Sequence, residues 1–451
     1  MNPPRGILLA ATGSACGKTT IACGILAALR RRNVPVRSAK CGPDYLDPLW
    51  LARAGGGDCP NLDSWMAGPE GVRQLAAGSG LLVVESAMGL YDGIRPDSDH
   101  ASGAEVARIL DLPIVLVVDA SGSARTVAAV VRGMRDFGPA KIAGVVANRV
   151  GGARHAAMIA EALSSRLLPP LVGFVAQGAV PALPERHLGL VPPESDDTLF
   201  EKLADAMEAS LDLDAIQALS GPLALPTPPP HRGDSGRGLR LGLSWDEAFR
   251  FAYAPAVARL EACGVEVVRF SPLRDAALPE GLDSLWLCGG YPEAHAGRLA
   301  ANLSMRLSVA AFCATGKPVL AECGGLLYLA RDLVDQTGTV FPMCGIIPAR
   351  GRVTQKLQAL GYRTVRSGED LFVAAAGVEL RGHEFHYGVL ESEDRAGWRH
   401  PWDLESSHGP LGPEGWWNGS VLATWFHGWL AGGDSLDRWI SAMRLARQED
   451  K

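Results

Sequence analysis

The feature that most constrains the fold lies within the first thirty residues. An apolar run, Gly6–Thr12, leads into a glycine-rich loop, Gly13–Thr20, and an apolar helical pattern then continues to Leu29. Strand, loop, Gly-Lys-Thr and helix are the parts of a phosphate-binding loop, in which backbone N–H groups at the helix N-terminus cradle phosphate oxygens. The usual pattern has a glycine where this chain has Thr12, so the loop is a variant. The residues expected to bind the phosphates of a nucleotide are Gly13, Gly17, Lys18, Thr19 and Thr20.

Buried-strand patterns alternate with helical patterns through the rest of the N-terminal half. The strand-like runs are Val36–Ala39, Leu81–Val84, Ile114–Val118, Ile142–Ala147 and Leu171–Val175. This alternation predicts an α/β fold with a parallel, doubly wound sheet. Ligands of such sheets collect beyond the carboxyl ends of the strands, so polar residues just past those ends are the candidates for function.

Charged residues follow two of these strands. Lys40, Asp44 and Asp47 come after the second strand, and Glu85 follows the third. Mg²⁺ prefers oxygen ligands and usually takes only one or two carboxylates. We therefore predict that Thr19, Asp44 and Glu85 ligate Mg²⁺, and that Lys40, Asp44 and Asp47 face the reacting groups.

Other polar residues at strand ends have two interpretations. Asp92 is a candidate for the substrate site, but Asp92 and Asp119 could equally cap a helix or a turn. Asn148 could meet the nucleotide base or cap the next segment. Arg186 and His187 could contact an anionic substrate, although a solvated loop explains them as well.

The second half repeats the α/β pattern after a break. Gly221–Gly238 contains five prolines and four glycines and is interpreted as a linker between a domain at 1–220 and a domain at 239–451. Strand-like runs then resume at Leu239–Leu243, Val265–Phe270 and Ser284–Cys288. We predict a second doubly wound domain.

A candidate nucleophile lies on a predicted strand-to-helix turn of this second domain. Cys323 follows the apolar run Pro318–Ala321 and precedes Gly324, Gly325 and an apolar helical pattern. A glycine-rich turn reaches the backbone angles that such a nucleophile needs. We expect the helix N-terminus to lower the pKa of the thiol and to offer N–H groups to an oxyanion. The alternative is a buried structural cysteine.

The cysteine needs an oxyanion site and a base near it in space. The turn at Gly289 and Gly290 follows a predicted strand and is a candidate for the other half of the oxyanion hole. His427 lies just past a β-rich run and is the preferred base, with His383 and His386 as rivals.

Composition excludes several classes of protein. The chain has 451 residues, a formal net charge of −6 and a pI near 6.0, which argues against a nucleic-acid partner. Its nine cysteines include no Cys-x-x-Cys pair, so a disulfide framework or a thiolate zinc site is not expected. The apolar runs are too short to span a membrane and no signal-peptide pattern is evident, so we expect a cytoplasmic protein without a membrane partner.

The two halves together suggest one reaction. A cysteine that attacks the side chain of glutamine releases ammonia. A phosphate-binding half can activate a carboxylate as an acyl phosphate, which ammonia converts to an amide. A glutamine-dependent amide synthase therefore explains why both halves share one chain.

The chain as a whole resembles the cobyrinic acid a,c-diamide synthase family. The N-terminal half is similar to dethiobiotin synthetase-like ATPases and the C-terminal half to class I glutamine amidotransferases of the cobyrinic/cobyric type. The matching segments are Gly17–Thr19, Lys40–Pro48, Glu85–Gly93, Arg186–Leu190, Gly289–Glu293, Glu322–Gly325 and His427.

This resemblance implies ATP, glutamine and Mg²⁺, and amidation of the a and c acetates of a corrin macrocycle. It implies that Cys323 is the nucleophile and that His427 raises its nucleophilicity. Most class I amidotransferases carry an acidic residue where this chain has Trp429, but the cobyrinic/cobyric branch is known for lacking that residue. Metal-free hydrogenobyrinic acid is favoured over cobyrinic acid, and a homodimer is a candidate assembly.

Three alternatives stay open at this point. Cobyric acid synthase and nickel-sirohydrochlorin a,c-diamide synthase are related enzymes with similar domains. A regulatory P-loop ATPase with an inactive amidotransferase domain is the alternative that is not an enzyme of this kind.

Overall fold

The computed structural model describes residues 4–186, 189–190, 197–225, 233–392, 394–395 and 397–449. The chain forms two compact units, Met1–Pro229 and Pro230–Lys451. Within the described ranges, no helix is both long and apolar enough to cross a membrane.

The first unit is built around one parallel sheet. Its strands are β1 (Arg5–Ala11), β2 (Val36–Cys41), β3 (Asn61–Leu62), β4 (Leu81–Glu85), β5 (Ile114–Asp119), β6 (Ile142–Val150), β7 (Leu171–Ala176), β8 (Glu185–Arg186), β9 (Gly189–Leu190) and β10 (Gly221–Pro222). Its helices are α1 (Lys18–Arg31), α2 (Leu46–Gly55), α3 (Gly68–Ala76), α4 (Gly103–Leu110), α5 (Arg125–Phe137), α6 (Ala153–Ser164), α7 (Thr198–Ser210) and α8 (Leu213–Leu219). The sheet order is β3-β2-β4-β1-β5-β6-β7 with parallel neighbours, and β10 joins β1 antiparallel.

The doubly wound arrangement follows from strands that are apolar on both faces. Along β1, Ile7 and Leu9 belong to one buried cluster with residues of α1, α2, α7 and α8, whereas Leu8 and Ala10 belong to a second cluster with residues of α3 to α6. Successive side chains of a strand point to opposite faces, so a continuous apolar run serves both cores. The predicted fold of this half is confirmed, and the five predicted runs after the first lie within observed strands.

The second unit also has a mostly parallel central sheet. Its strands are β11 (Arg240–Ser244), β12 (Phe249–Phe251), β13 (Glu266–Phe270), β14 (Ser284–Leu287), β15 (Gly289–Gly290), β16 (Val319–Glu322), β17 (Ala330–Val334), β18 (Val340–Pro342), β19 (Ile347–Val353), β20 (Ala359–Ser367), β21 (Glu379–His386), β22 (Gly388–Glu391), β23 (Trp402–Ser406), β24 (Gly409–Glu414), β25 (Trp416–Trp417), β26 (Val421–Thr424) and β27 (His427–Gly428). Its helices are α9 (Ala254–Ala262), a 3-10 turn (Pro292–His295), α10 (Ala296–Ala301), α11 (Leu303–Cys313), α12 (Gly324–Leu329) and α13 (Ser435–Glu449). The central order is β13-β11-β14-β16-β26-β25, and only β25 is antiparallel to its neighbour.

Two further sheets lie between the nucleophile and the histidine in sequence. One has the order β18-β17-β19-β22 and the other the order β24-β23-β20-β21-β27. The second sheet ends on β27, which contains His427, so this long insertion has a direct contact with the candidate base. The sequence analysis did not anticipate these sheets.

The described ends of the predicted linker pack on the units that flank them. Leu223 N donates to Pro4 O at 3.0 Å and Ala224 N donates to Leu110 O at 3.1 Å. On the other side, Gly236 N donates to Cys263 O at 2.7 Å. Residues 226–232, in the middle of the predicted linker, lie outside the described part of the chain.

Candidate functional site

The phosphate-binding loop has the backbone that its glycines predict. Gly17 has a φ of 82° and caps α1, and Ala15 has a φ of 58°. Lys18 Nζ donates to Gly13 O at 2.8 Å and is buried. A Cβ at Gly13 would meet no heavy atom within 4 Å, so the loop is open on that side. Burial lowers the pKa of Lys18 below its ordinary value.

Asn148 lies against this loop. Its Nδ2 donates to Cys16 O at 2.9 Å, and a Cβ at Gly17 would come within 2.4 Å of the same nitrogen. Only glycine at position 17 allows both the left-handed backbone and this close approach. The two interpretations of Asn148 were contact with the nucleotide base and capping of the next segment. The structure shows a third role, a hydrogen bond to the phosphate-binding loop.

Four polar side chains meet below the loop. Lys40 Nζ lies 2.6 Å from Asp47 Oδ2 and 3.0 Å from Glu85 Oε1. Thr19 Oγ1 donates to Glu85 Oε1 at 2.7 Å and lies 3.5 Å from Asp47 Oδ2. Lys40 and Glu85 are register partners on β2 and β4, which explains why residues 45 positions apart come together.

The charges of this cluster are strongly coupled. Burial opposes the charge on Lys40, yet Glu85 and Asp47 hold the pKa of Lys40 well above its ordinary value. Burial raises the pKa of Glu85, and the charge of Lys40 opposes that rise. We conclude that Lys40 is a cation that compensates the carboxylates around it.

The other predicted residues of this half have local roles. Asp44 Oδ1 accepts from Leu46 N at 2.8 Å and from Asp47 N at 3.1 Å, so Asp44 caps the start of α2. Burial raises the pKa of Asp44 to about 6. Asp92 is exposed, and its Oδ2 accepts from Gly89 N at 2.8 Å within the same turn. Asp47 rather than Asp44 therefore lies beside Thr19 and Glu85.

Three remaining predictions of this half concern residues outside that cluster. Thr20 lies in the first turn of α1. Asp119 Oδ1 accepts from Ser121 N at 2.9 Å, and its other oxygen pairs with Arg149. Of the polar loop that was suggested to contact an anion, His187 and the side chain of Arg186 lie outside the described residues.

Cys323 lies on a sharp turn between β16 and α12. Its φ is 48° and its ψ is −98°, an unusual conformation for a residue with a side chain. The next two residues have no left-handed backbone, so the expected reason for their glycines is wrong. A Cβ at Gly325 would lie 2.1 Å from Leu287 O, and one at Gly324 would lie 2.9 Å from Gly290 N. These glycines allow close approach of neighbouring backbones.

The same turn brings the candidate base and the candidate oxyanion site together. A Cβ at Gly289 would lie 2.4 Å from His427 Cε1 and 3.3 Å from His427 Nε2. Cys323 N donates to Thr424 O at 2.7 Å, which ties the nucleophile turn to β26, three residues before His427. Cys323, Gly290 and His427 therefore belong to one site at the carboxyl ends of adjacent strands.

The expectation of a lowered thiol pKa is not met. Burial raises the pKa of Cys323 above its ordinary value, and the carboxylate of Glu293 raises it further. The helix that follows has only six residues, so its field cannot offset the loss of water. Burial also lowers the pKa of His427 well below its ordinary value. Both shifts favour the uncharged forms, a thiol and a neutral imidazole, and oppose transfer of the thiol proton before glutamine binds.

The two rival histidines occupy different places. His383 stacks on His427 with ring centroids 5.0 Å apart and planes at 17°. His386 instead stacks on Trp425 at 4.1 Å, and its Nδ1 lies 2.8 Å from Gly388 O. All three histidines are thus close to the site, but His427 is the one whose ring edge faces Gly289.

Sequence reasoning did not single out Glu322, which precedes the nucleophile. Its Oε2 accepts from Trp286 Nε1 at 2.8 Å and its Oε1 accepts from Gly428 N at 3.2 Å. Glu322 is 3% exposed, and burial raises its pKa to about 7. The carboxyl group connects β16, the strand that leads to Cys323, to the residue after His427. The signal available in the sequence was an acidic residue directly before the candidate nucleophile, at the end of an apolar run.

A second buried acid near this site predicts a pH dependence of stability. Glu414 accepts from Thr424 Oγ1 at 2.5 Å and from Trp425 N at 2.8 Å, and burial raises its pKa to about 8. Since its ordinary pKa is 4.5, folding takes up a proton between these values, and stability falls as pH rises from about 4.5 to about 8. We expect the melting temperature to fall less between pH 5 and pH 9 in Glu414→Gln than in the wild type.

Thermal unfolding followed by tryptophan fluorescence at both pH values measures this difference. Glu405→Gln, at an exposed position on β23, is the matched control. An unchanged pH dependence in Glu414→Gln would show that Glu414 is already ionised at pH 5.

Comparisons with known proteins give a consistent result for both halves. The family described as the CobQ/CobB/MinD/ParA nucleotide binding domain matches residues 7–191. The family described as the CobB/CobQ-like glutamine amidotransferase domain matches residues 241–435.

Curated relatives match nearly the whole chain. A cobyrinate a,c-diamide synthase of Syntrophotalea carbinolica is 42% identical over 442 residues, which is 95% of this chain and 95% of the relative. A hydrogenobyrinate a,c-diamide synthase of Mesorhizobium japonicum is 41% identical and covers 94% of this chain and 98% of the relative. A cobyrinate a,c-diamide synthase of Salmonella typhimurium is 38% identical, with 98% of each chain covered.

Proposed function

The chain belongs to the cobyrinate and hydrogenobyrinate a,c-diamide synthase family, and from this premise we propose that it amidates the a and c acetates of a corrin macrocycle, with ATP and glutamine as co-substrates. It is a glutamine-hydrolysing carbon–nitrogen ligase. The observation that carries the proposal is that one chain holds both the Lys18 phosphate loop and the site of Cys323 and His427.

The first unit activates the carboxylate. The loop N–H groups and Lys18 bind the phosphates of ATP, and a macrocycle carboxylate attacks the γ-phosphorus to give an acyl phosphate and ADP. Ammonia then attacks the acyl carbon and expels phosphate, which leaves the amide. The buried Lys40 keeps Asp47 and Glu85 in place beside the reacting phosphate.

The polar cluster below the loop fits a magnesium ion. Among the described residues none donates a hydrogen bond to Glu85 Oε2, which is buried, and the Thr19 hydroxyl and Asp47 carboxylate lie beside the same residue. We propose that Thr19, Asp47 and Glu85 hold Mg²⁺, with Asp47 in the place first assigned to Asp44. Mg²⁺ bound there would neutralise charge on the β- and γ-phosphates.

The second unit releases ammonia from glutamine. Cys323 Sγ attacks the side-chain carbonyl carbon while His427 takes the thiol proton. His427 then gives the proton to the departing nitrogen, and water hydrolyses the thioester to glutamate. We assign the oxyanion to the N–H groups of Gly290 and Gly324, whose backbones approach closely, next to Gly289 and the imidazole.

The close approach at Gly324 predicts the effect of one added methyl group. In Gly324→Ala the Cβ would lie 2.9 Å from Gly290 N and 3.1 Å from Gly290 O, so the two halves of the oxyanion site must separate. We expect glutamine-dependent amidation to fall about 10²-fold. Amidation with added ammonium chloride should keep its wild-type rate.

Gly297→Ala is the matched control, because its Cβ would meet only Phe341 Cε1, at an ordinary 3.6 Å. A normal glutamine-dependent rate in Gly324→Ala would remove Gly324 from the oxyanion site.

The choice of macrocycle stays a prediction, since relatives named for either acid are about equally similar. We propose that the substrate is the metal-free hydrogenobyrinic acid, that the protein acts in the cytoplasm and that it forms a homodimer. Mass spectrometry of products formed with ATP, Mg²⁺ and glutamine, with each acid in a separate reaction, tests the substrate. Light scattering tests the dimer.

Two amide conversions of the metal-free acid with poor use of the cobalt form would support the proposed substrate, and the reverse would overturn it. Four conversions of a diamide would indicate a cobyric acid synthase, and amidation of nickel-sirohydrochlorin would indicate the third related enzyme. ATP hydrolysis without glutamine hydrolysis or amide formation would favour the regulatory ATPase.

A further inference from the structure

The register of two strands places a second histidine against the candidate base. His383 on β21 is directly opposite His427 on β27 in an antiparallel pair. Opposed side chains of such a pair lie on the same face and within contact distance, which produces the parallel rings 5.0 Å apart. A Cβ at Gly382 would lie 2.0 Å from His427 O, so the neighbouring glycine is what allows the strands to approach.

A tyrosine holds the second histidine. Tyr253 Oη lies 2.8 Å from His383 Nδ1, and both residues are buried. The Tyr253 ring also packs edge-on against Trp429, with centroids 5.1 Å apart. Trp429 follows His427 by two residues, so both strand β27 and Tyr253 fix the place of the stacked pair.

We propose that His383, held by Tyr253, is the positioning residue that orients His427 toward Cys323. The inference rests on the proposed glutamine hydrolysis and names how its base is oriented. A base in such a pair is ordinarily oriented by a third group, and here that group is a stacked ring. The stack restricts rotation of the His427 imidazole, because the two rings lie 5.0 Å apart with planes at 17°.

The surroundings keep the stacked ring uncharged. Burial lowers the pKa of His383 to about 3, and the nearby Arg363 guanidinium lowers it further, so His383 is uncharged. The hydrogen bond between the Tyr253 hydroxyl and Nδ1 fixes which ring nitrogen of neutral His383 carries the proton. The other charged or titratable groups around the pair are Cys323, Glu322, Glu384, His386 and Arg363. Burial, His383 and His386 disfavour the protonated form of His427, and Glu384 favours it.

Three variants separate the stack from the hydrogen bond. Tyr253→Phe keeps the packing on Trp429 but removes the hydroxyl, His383→Phe keeps a stacked ring, and His383→Ala removes both. We expect kcat for glutamine-dependent amidation to fall about 10-fold in Tyr253→Phe and His383→Phe and about 10²-fold in His383→Ala. KM for glutamine should change less than about twofold, because these residues act on the base.

Two further readouts exclude a general structural defect. Ammonia-dependent amidation should keep its wild-type rate in all three variants, and His408→Ala, at an exposed turn, is the matched control. In His383→Ala water reaches His427, so the acid limb of the kcat/KM profile should move up by about one pH unit.

The outcomes are distinct. A wild-type enzyme without glutamine-dependent amidation would overturn the proposed function itself. An active wild type with unchanged kcat in His383→Ala, or with equal losses of the glutamine and ammonia reactions, would overturn the role of His383. Loss in His383→Ala with an unshifted acid limb would also contradict it, because the ring would then not control the environment of the base.

Discussion

Replacing Cys323 with alanine is expected to remove glutamine-dependent amidation and to spare amidation supported by ammonia. The thiol forms the only covalent bond to glutamine in the proposed mechanism, and the carboxylate is activated by ATP in the other unit. We expect the glutamine-dependent rate to fall by about 10³-fold or more. Product mass spectrometry with glutamine, and in parallel with ammonium chloride at a pH that supplies free ammonia, measures both reactions.

Cys263→Ala is the control for this experiment. Cys263 is also a buried free thiol of the second unit, but it lies at the end of α9 and in the hydrophobic core. Loss of the ammonia reaction in Cys323→Ala would show that the two units do not divide the chemistry as proposed. Normal use of glutamine by the variant would assign the nucleophile elsewhere.

Lys18→Ala is expected to stop amidation with either nitrogen source. Lys18 is buried beneath the phosphate loop, and its ammonium group is the charge closest to the phosphates in the proposed binding mode. Without it the developing negative charge on the transferred phosphoryl group is less well stabilised, and we expect a fall of about 10²- to 10³-fold in both reactions. Formation of ADP and of the amide, measured in the same samples, shows which step is lost.

Lys202→Ala, at an exposed position on α7 of the same unit, is the matched control. Modification of Cys323 by iodoacetamide at the wild-type rate would show that the second unit is intact in Lys18→Ala. Full amidation by Lys18→Ala would exclude the phosphate loop from the mechanism.

The sequence predicted those parts of the site that depend on local pattern. Long apolar runs predicted the parallel strands, and the rule that their carboxyl ends share one edge placed Lys40 and Glu85 at the same edge of the sheet, but it did not predict their ion pair. The Gly-Lys-Thr loop and the turn at Cys323 were recognisable from an apolar strand pattern, a glycine-rich segment and an apolar helical pattern in succession, although the reason expected for Gly324 and Gly325 was wrong.

The parts that depend on non-local packing could not be predicted. Whether Asp44 or Asp47 faces Thr19 depends on which carboxylate caps α2, a difference of less than one helical turn. The pKa of Cys323 depends on burial and on Glu293, neither of which is visible in the nucleophile motif. The contact of His383 with His427 depends on the register of β21 and β27, which have five other strands between them in sequence but are hydrogen-bonded neighbours in space.

The pairing of β10 with β1 determines where the two activities can be separated genetically. Gly221 and Pro222 pair with Gly6 and Arg5, so the last strand of the first unit closes onto its first strand. A coding sequence that stops at residue 220 would remove β10 and leave the amino end of β1 without this antiparallel neighbour. One that stops after residue 225 would keep the pairing of β10 with β1. Exchange of either half between related synthases should therefore use junctions within 226–232, which leave every described strand of both units with its own neighbours.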